Sequence, residues 1–113
     1  MKPLKFAEPL ARLILEGKKD TIWRINDDKD IQENDELSLC YNDGKEFTKA
    51  KVTEVRETIF ENLSEKNKEG HETFRFDKEM HKTYSSYYHV HVKPSTLVKV
   101  IKFKLEPPPQ QAL

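Results

Sequence analysis

The apolar residues of this chain recur with two different periods. Near the N-terminus they first alternate, which predicts a short strand, and then recur every three or four residues, which predicts a helix over residues 8–16. Pro9 suits the first turn of that helix, and Gly17 suits its end, because glycine accepts the left-handed conformation common after a last helical turn. The residues that carry these two patterns are Leu4 and Phe6 for the strand, and Leu10, Leu13 and Ile14 for the helix.

The middle of the chain reads as strands separated by polar turns. Residues 21–25 are β-branched and aromatic, which favours a strand, and the polar residues 26–34 are typical of a loop. Residues 36–41 and 47–59 alternate, and the turn sequence Asn42-Asp43-Gly44 between them predicts a hairpin. The longer strand contains one slip in its alternation, which we interpret as a β-bulge.

The last third combines helices with a final strand. We predict a short helix over residues 62–69, whose start at Ser64 lacks the acidic partner of a full capping box. An aromatic helix over residues 74–88 and a cleanly alternating strand over residues 97–105 follow. Residues 107–113 begin with three prolines, and we predict a disordered tail there.

These elements predict one α+β domain over residues 1–106, a small mixed β-barrel with helices flanking it. The 113 residues fit a single domain. The 20 basic and 20 acidic residues cancel, so there is no overall basic field of the kind that drives tight, nonspecific nucleic-acid binding. A local basic patch is still compatible with this balance.

Cysteine usage and hydropathy indicate a cytoplasmic protein without a membrane anchor. Cys40 is the only cysteine, which excludes an internal disulfide and any CxxC site and fits a reducing compartment. The first residues contain no long apolar core of a signal peptide, and no run approaches the roughly 18 apolar residues needed to span a bilayer. We expect a cytoplasmic monomer.

The segment GKKDTIWR, residues 17–24, carries the most information about function. It follows the predicted first helix and runs into the next strand, and Gly17, Lys19 and Arg24 match the pattern G-x-K-x-x-T/E-x-R. On these residues the chain resembles the ASCH family, a branch of the PUA-like fold. The order of elements is similar over residues 1–105, including an Asn-Asp turn at 34–35, Glu-Gly at 69–70 and a final strand that contains Val98, Val100 and Phe103.

The resemblance implies a PUA-like barrel with a cleft beside the first helix and a role on RNA or nucleotides. One bacterial branch of the family hydrolyses the nucleoside acetylcytidine with a Lys, a Thr and a Glu. By position the Lys is Lys19 and the Glu is Glu69 or Glu72. The Thr position is Ile22, which has no hydroxyl, and this departure argues against hydrolysis.

Our leading hypothesis is an RNA- or nucleotide-binding module with a Lys- and Arg-lined cleft. Arg suits bidentate contact with phosphate, and Lys suits a point-charge contact. Two other functions stay open: a small amidohydrolase acting on acetylcytidine-type nucleosides with Lys19 and Glu69, and a protein-interaction domain that docks through the Pro-rich tail. The residues predicted to contact a ligand are Lys18, Lys19, Thr21, Trp23 and Arg24.

Several of these residues also have purely structural interpretations. The lysines at 18–19 suit a solvated helix C-terminus. Arg24 could form an ion pair with Asp27, Asp28 or Glu69, and Trp23 fits a core position better than a base-stacking platform.

The histidines and the cysteine carry less information. His89 and His91 share a face in an extended chain, but no third ligand is evident, so we expect neither a metal nor a cofactor. His71 and His81 read as surface residues, and Cys40 as a buried, inert thiol.

Overall fold

The computed structural model describes residues 1–71, 73–74, 77–88 and 90–106. Glu72, Phe76, His89 and the predicted tail over residues 107–113 lie outside these ranges. The order β, α, β, β, β, α, α, β is confirmed, with one turn of 3₁₀-helix at Phe60–Asn62 added before the second helix. Across the described ranges, no helix is long and apolar enough to cross a membrane. The elements are β1 Lys2–Phe6, α1 Glu8–Leu15, β2 Thr21–Arg24, β3 Glu36–Tyr41, β4 Glu46–Ile59, α2 Glu65–Lys68, α3 Asp77–Tyr88 and β5 Leu97–Leu105.

The five strands form one mixed sheet in the order β1-β3-β4-β5-β2. β1 pairs with β3 in parallel, and the other three pairings are antiparallel. The sheet curves into a half-barrel, so the predicted α+β class is confirmed. The sheet order places β1 and β2 at its two edges, and this position of the edges determines where the candidate site lies.

The predicted hairpin of β3 and β4 is also confirmed. Its turn lies at residues 42–45, and the pairing register shifts between Leu39 and Cys40. A second shift lies between Val52 and Glu54 in the pairing of β4 with β5, where the alternation of the long strand slips. The irregularity predicted from the sequence therefore corresponds to a real change of register.

The core has two parts that lie on opposite faces of β2 and β5. Ile22 and Ile101 belong to the part covered by α1, whereas Trp23 and Val100 belong to the part covered by α3. These residues are cross-strand partners, Ile22 with Ile101 and Trp23 with Val100, so neighbouring side chains of one strand alternate between the two cores. Both faces of the sheet are thus buried where β2 and β5 pair.

The start of α2 corrects one expectation. Ser64 does form a full capping box, in which the Asn67 amide replaces the acidic partner that the sequence lacks. Its Oγ accepts a hydrogen bond from the Asn67 backbone N–H at 3.2 Å, and its own N–H donates to Asn67 Oδ1 at 3.0 Å. An amide oxygen satisfies the first backbone N–H as a carboxylate would.

Candidate functional site

A cleft of about 360 Å³ opens at the seam of the half-barrel, between the two edge strands. β1 and β2 form its walls, the first residues of α1 and the last turns of α3 close its ends, and the β3–β4 turn contributes Asn42. We call this space the seam cleft. It is lined by Leu4, Lys5, Phe6, Ala7, Leu10, Lys19, Ile22, Trp23, Arg24, Asn42, Tyr84, Tyr87 and Tyr88. Its position beside the first helix agrees with the predicted cleft.

The open edge of β2 presents main-chain groups at this seam. The Phe103 N–H donates to Asp20 O at 3.0 Å, so in the antiparallel register the main-chain groups of Thr21 and Trp23 point away from β5. The Thr21 carbonyl accepts from Lys19 Nζ at 2.8 Å, and the Trp23 carbonyl accepts from the Tyr88 hydroxyl at 3.4 Å. Two side chains of the cleft therefore satisfy carbonyls that an edge strand would otherwise leave to water.

The two adjacent lysines of the motif have different environments. Lys19 is only 4% exposed and lines the seam cleft. Lys18 is exposed, with its Nζ 3.7 Å from Glu16 Oε1, and it is not among the residues that line the cleft. The structural interpretation as a solvated helix end thus describes Lys18 and not Lys19.

Thr21 lies below the surface and connects β2 to the segment after α2. Its side chain is fully buried, with Oγ1 2.7 Å from Glu69 O and 3.0 Å from Lys102 Nζ. Thr21 is not a lining residue of the seam cleft. Its hydroxyl therefore contributes to the scaffold on which the cleft is built.

Glu69 lines a different cavity from Lys19. This second cavity has a volume of about 540 Å³ and is also lined by Phe74 and Met80. Trp23 is a wall of both cavities. The structure therefore does not bring Lys19 and Glu69 together in one cavity, and Glu72 lies outside the described residues.

Arg24 forms ion pairs at the end of β2, as its structural interpretation predicted. Its Nε donates to Asp27 Oδ1 at 2.9 Å, and its Nη2 lies 3.5 Å from Asp28 Oδ1. Glu69, the third candidate partner, is not involved in these ion pairs. The pairing leaves the Arg24 side chain 17% exposed, still on the wall of the seam cleft.

Asp27 is a buried carboxylate that joins three segments of the chain. Besides Arg24, it accepts hydrogen bonds from Lys99 Nζ at 2.9 Å and from the backbone amides of Lys29 and Ile31. Burial raises the pKa of this carboxyl, but the hydrogen bonds outweigh burial and hold the pKa well below its usual range. From the sequence, Asp27 was only one of three possible partners of Arg24, because its contact with Lys99 spans 72 residues.

The prediction that His71 lies at the surface is wrong. The imidazole is buried and stacks on the Trp23 ring, with centroids 3.7 Å apart and planes at 10°. Its Nε2 lies 2.8 Å from the Tyr84 hydroxyl. His81 is also not a surface residue, since it is partly buried and meets the Phe60 ring edge-on. Trp23 is itself 3% exposed, which confirms its core position.

The tyrosines of α3 are the cleft residues that the sequence could not select. Tyr87 and Tyr88 line the seam cleft, with Tyr87 56% exposed. Burial raises the pKa of the Tyr88 hydroxyl, which therefore stays protonated and able to donate at neutral pH. An aromatic sequence over residues 74–88 predicts core packing equally well for every ring, so only the packing of α3 distinguishes them.

The remaining predictions concern a metal site at the histidines and the thiol of Cys40. Within the described ranges, no group of three or more His, Cys, Asp or Glu side chains lies close enough to hold a metal ion. His91 is exposed, and its predicted partner His89 lies outside those ranges. Cys40 is buried, as predicted, with its Sγ near Ser38.

Comparison with known proteins gives structural likenesses at low sequence identity. No protein-family model and no curated protein matches the chain. Similar solved structures include the ASCH domain from Lactobacillus crispatus JV V101, with TM-score 0.68 and 17% identity over 92% of this chain and 79% of that one. The ASCH protein from Zymomonas mobilis has TM-score 0.64 and 10% identity over 90% and 65%. Protein EF3133 from Enterococcus faecalis V583, of the DUF984 family, has TM-score 0.75 and 13% identity over 93% and 80%.

At identities this low, a structural likeness shows the fold of the chain. The motif Gly17, Lys19 and Arg24 predicted this architecture before any structural comparison. The matched structures cover nine-tenths or more of the chain, so the predicted PUA-like architecture is confirmed. The chain has the fold of an ASCH domain.

Proposed function

We propose that this chain binds RNA or a nucleotide and holds one nucleoside unit in the seam cleft. The observation that carries the proposal is the combination of a buried lysine, the aromatic rings of Tyr87 and Tyr88 and the amide of Asn42 in one concave space. Its volume of about 360 Å³ falls in the range of ligand sites, roughly 300–1,000 Å³. Single-stranded RNA is commonly recognised by bases that stack on aromatic rings and bond to nearby polar groups.

The cleft offers each of these contacts from a fixed element. Tyr87 and Tyr88 supply aromatic surface from α3, and Asn42 supplies an amide from the β3–β4 turn. Lys19 supplies a positive charge whose position is set by its hydrogen bond to the Thr21 carbonyl. Leu10 and Ile22 add apolar wall on the other side. A nucleobase has flat apolar faces and polar edges, so a site that binds one needs this mixture of apolar and polar groups.

Two placements favour binding over hydrolysis of acetylcytidine. Ile22 lines the cleft at the position where the hydrolytic branch has a threonine, and its side chain carries no nucleophile. Glu69, the described carboxylate that the resemblance implies, lines the other cavity. Residue 22 thus lacks the hydroxyl that the hydrolytic branch uses at this position, and this departure favours binding.

The experiment is a titration that uses the single tryptophan as the reporter. Trp23 lines the cleft, so its fluorescence responds to an occupant. Short single-stranded RNAs and the four ribonucleosides are titrated into the wild type, Lys19→Met and Lys18→Met. We expect Lys19→Met to weaken binding about tenfold, because it removes a charged hydrogen-bond donor from the cleft.

Lys18→Met is the matched control, since it removes the same charge from the adjacent exposed residue. We expect its affinity to stay within about twofold of the wild type, as for a surface charge outside the site. Thermal unfolding of each variant establishes that it is folded. Absence of any binding at low salt, or equal losses in the two lysine variants, would refute the proposal.

A further inference from the structure

The positive charge of Arg24 is neutralised at one end of the seam cleft. Arg24 forms the wall between the seam cleft and a neighbouring cavity of about 280 Å³. Both of its carboxylate partners, Asp27 and Asp28, line that second cavity and not the cleft. The guanidinium is therefore bound from the side that faces away from the seam cleft. Two carboxylates thus compete with the Arg–phosphate contact that the sequence predicted.

The surroundings of Arg24 contain more carboxylates than cations. The neighbouring cavity also contains Asp30 and Glu57, and its other lining cation is Lys99. Lys99 Nζ lies 2.9 Å from Asp27 Oδ2, so Asp27 is bonded to both cations at once. Its depressed pKa keeps Asp27 ionised at neutral pH. A phosphate brought to this end of the cleft would face this excess of negative charge.

Building on the proposed function, we infer that Asp27 and Asp28 are specificity-determining residues that prevent Arg24 from acting as a phosphate site. The ligand is bound by its base and sugar, and a phosphate group adds no affinity from the Arg24 end. An anion at Arg24 would have to displace a carboxylate that lies 2.9 Å away and is itself 4% exposed. Repulsion built into a site in this way selects between ligands as effectively as an attractive contact.

Asp28 provides the means to test the inference without disturbing the core. Its side chain is 84% exposed and contributes one 3.5 Å ion pair, whereas Asp27 is buried and bonded to four groups. Asp28→Asn therefore raises the local charge by one in a protein expected to stay folded. Glu33→Gln is the matched control, because it makes the same charge change at an exposed residue of the same loop.

The measurement is the ratio of dissociation constants for each ribonucleoside and its 5′-monophosphate, obtained by calorimetry at low salt. In the wild type we expect the two constants to agree within about fivefold. In Asp28→Asn we expect the monophosphate to gain at least about threefold over the nucleoside, the effect of one exposed ion pair. Glu33→Gln should keep the wild-type ratio.

The outcomes separate this inference from the proposed function. The inference is overturned if the wild type prefers the monophosphate by more than about fivefold. It is also overturned if the ratio in Asp28→Asn changes by less than about threefold, or by no more than in Glu33→Gln. Either result leaves the proposed function standing. Binding of RNA without binding of either small ligand also overturns it. If nothing binds, the proposed function itself fails.

Discussion

Gly70 joins the segment after α2 to the start of β2, and its replacement by alanine gives a sharp test of how the motif is held. Its φ is +78°, a left-handed conformation that costs an alanine about 1–2 kcal/mol. Its carbonyl accepts hydrogen bonds from the Asp20 N–H at 2.9 Å and the Thr21 N–H at 3.2 Å. A Cβ at residue 70 would overlap Asp20 Oδ1 and lie 3.0 Å from Thr21 Oγ1.

The cost of Gly70→Ala therefore has two parts. Asp20 must rotate away, which breaks the 3.1 Å hydrogen bond between its Oδ1 and Thr21 Oγ1, at about 1 kcal/mol. Together with the backbone cost, we expect a loss of about 2–3 kcal/mol in the free energy of unfolding. For a chain of this size, that corresponds to a melting temperature lower by about 10 °C.

Two other glycines serve as controls for the backbone cost alone. Gly17 and Gly44 also have positive φ, but a Cβ at either residue meets nothing within 4 Å. Their alanine variants should lose only about 1–2 kcal/mol, measured by thermal and urea unfolding. Asp20→Ala removes the group that the new Cβ would meet, so the double variant Asp20→Ala/Gly70→Ala should lose less than the sum of the single variants. Equal losses for Gly70→Ala and Gly44→Ala, or full additivity with Asp20→Ala, would show that this reasoning is wrong.

Three further predictions concern the acid stability, the aromatic core and the chemistry. Because folding depresses the pKa of Asp27, this carboxylate stabilises the fold above the pKa of the unfolded chain, near pH 4, and the stabilisation is lost as the pH falls further. The difference in melting temperature between the wild type and Asp27→Asn should therefore narrow from about pH 5 to about pH 2. A constant difference would contradict this. His71→Ala should lower the free energy of unfolding by about 2–4 kcal/mol, since it removes the stack on Trp23 and the contact with the Tyr84 hydroxyl. Urea unfolding measures this change, and a value below about 1 kcal/mol would contradict the buried arrangement. Incubation of the folded protein with acetylcytidine should release no cytidine by chromatography, because residue 22 supplies no hydroxyl; turnover that Lys19→Met abolishes would reverse this conclusion.

The elements of the fold could be predicted because their signals are local. Pro9 and Gly17 mark the two ends of α1, and the second half of β5, residues 101–105, alternates between apolar residues and lysines. The period of a strand places Ile22 and Trp23 on opposite faces of β2, and the two residues do lie in different parts of the core. Such features need no knowledge of residues far along the chain.

The arrangement of the site could not be predicted, because it depends on contacts between distant segments. His71 lies next to Gly70 in a polar stretch without any period, and it is buried only because Trp23, 48 residues earlier, packs against it. The same limit applies to Lys18 and Lys19, which are chemically identical in sequence. The turn after α1 buries one lysine and exposes the other.

The position of β5 in the sheet determines when the cleft can form as the chain is synthesised. β5 lies between β4 and β2, and Thr21 pairs with Lys102, so β2 has no strand partner until the last strand has left the ribosome. β1, β3 and β4 can pair earlier, because all three precede β5 along the chain. During that interval the β1 wall of the seam cleft can form. The β2 wall, which carries Lys19 and Arg24, cannot pair until residues about 80 positions downstream are available. A chaperone that shields β2 until that point would protect the segment on which the proposed ligand recognition depends.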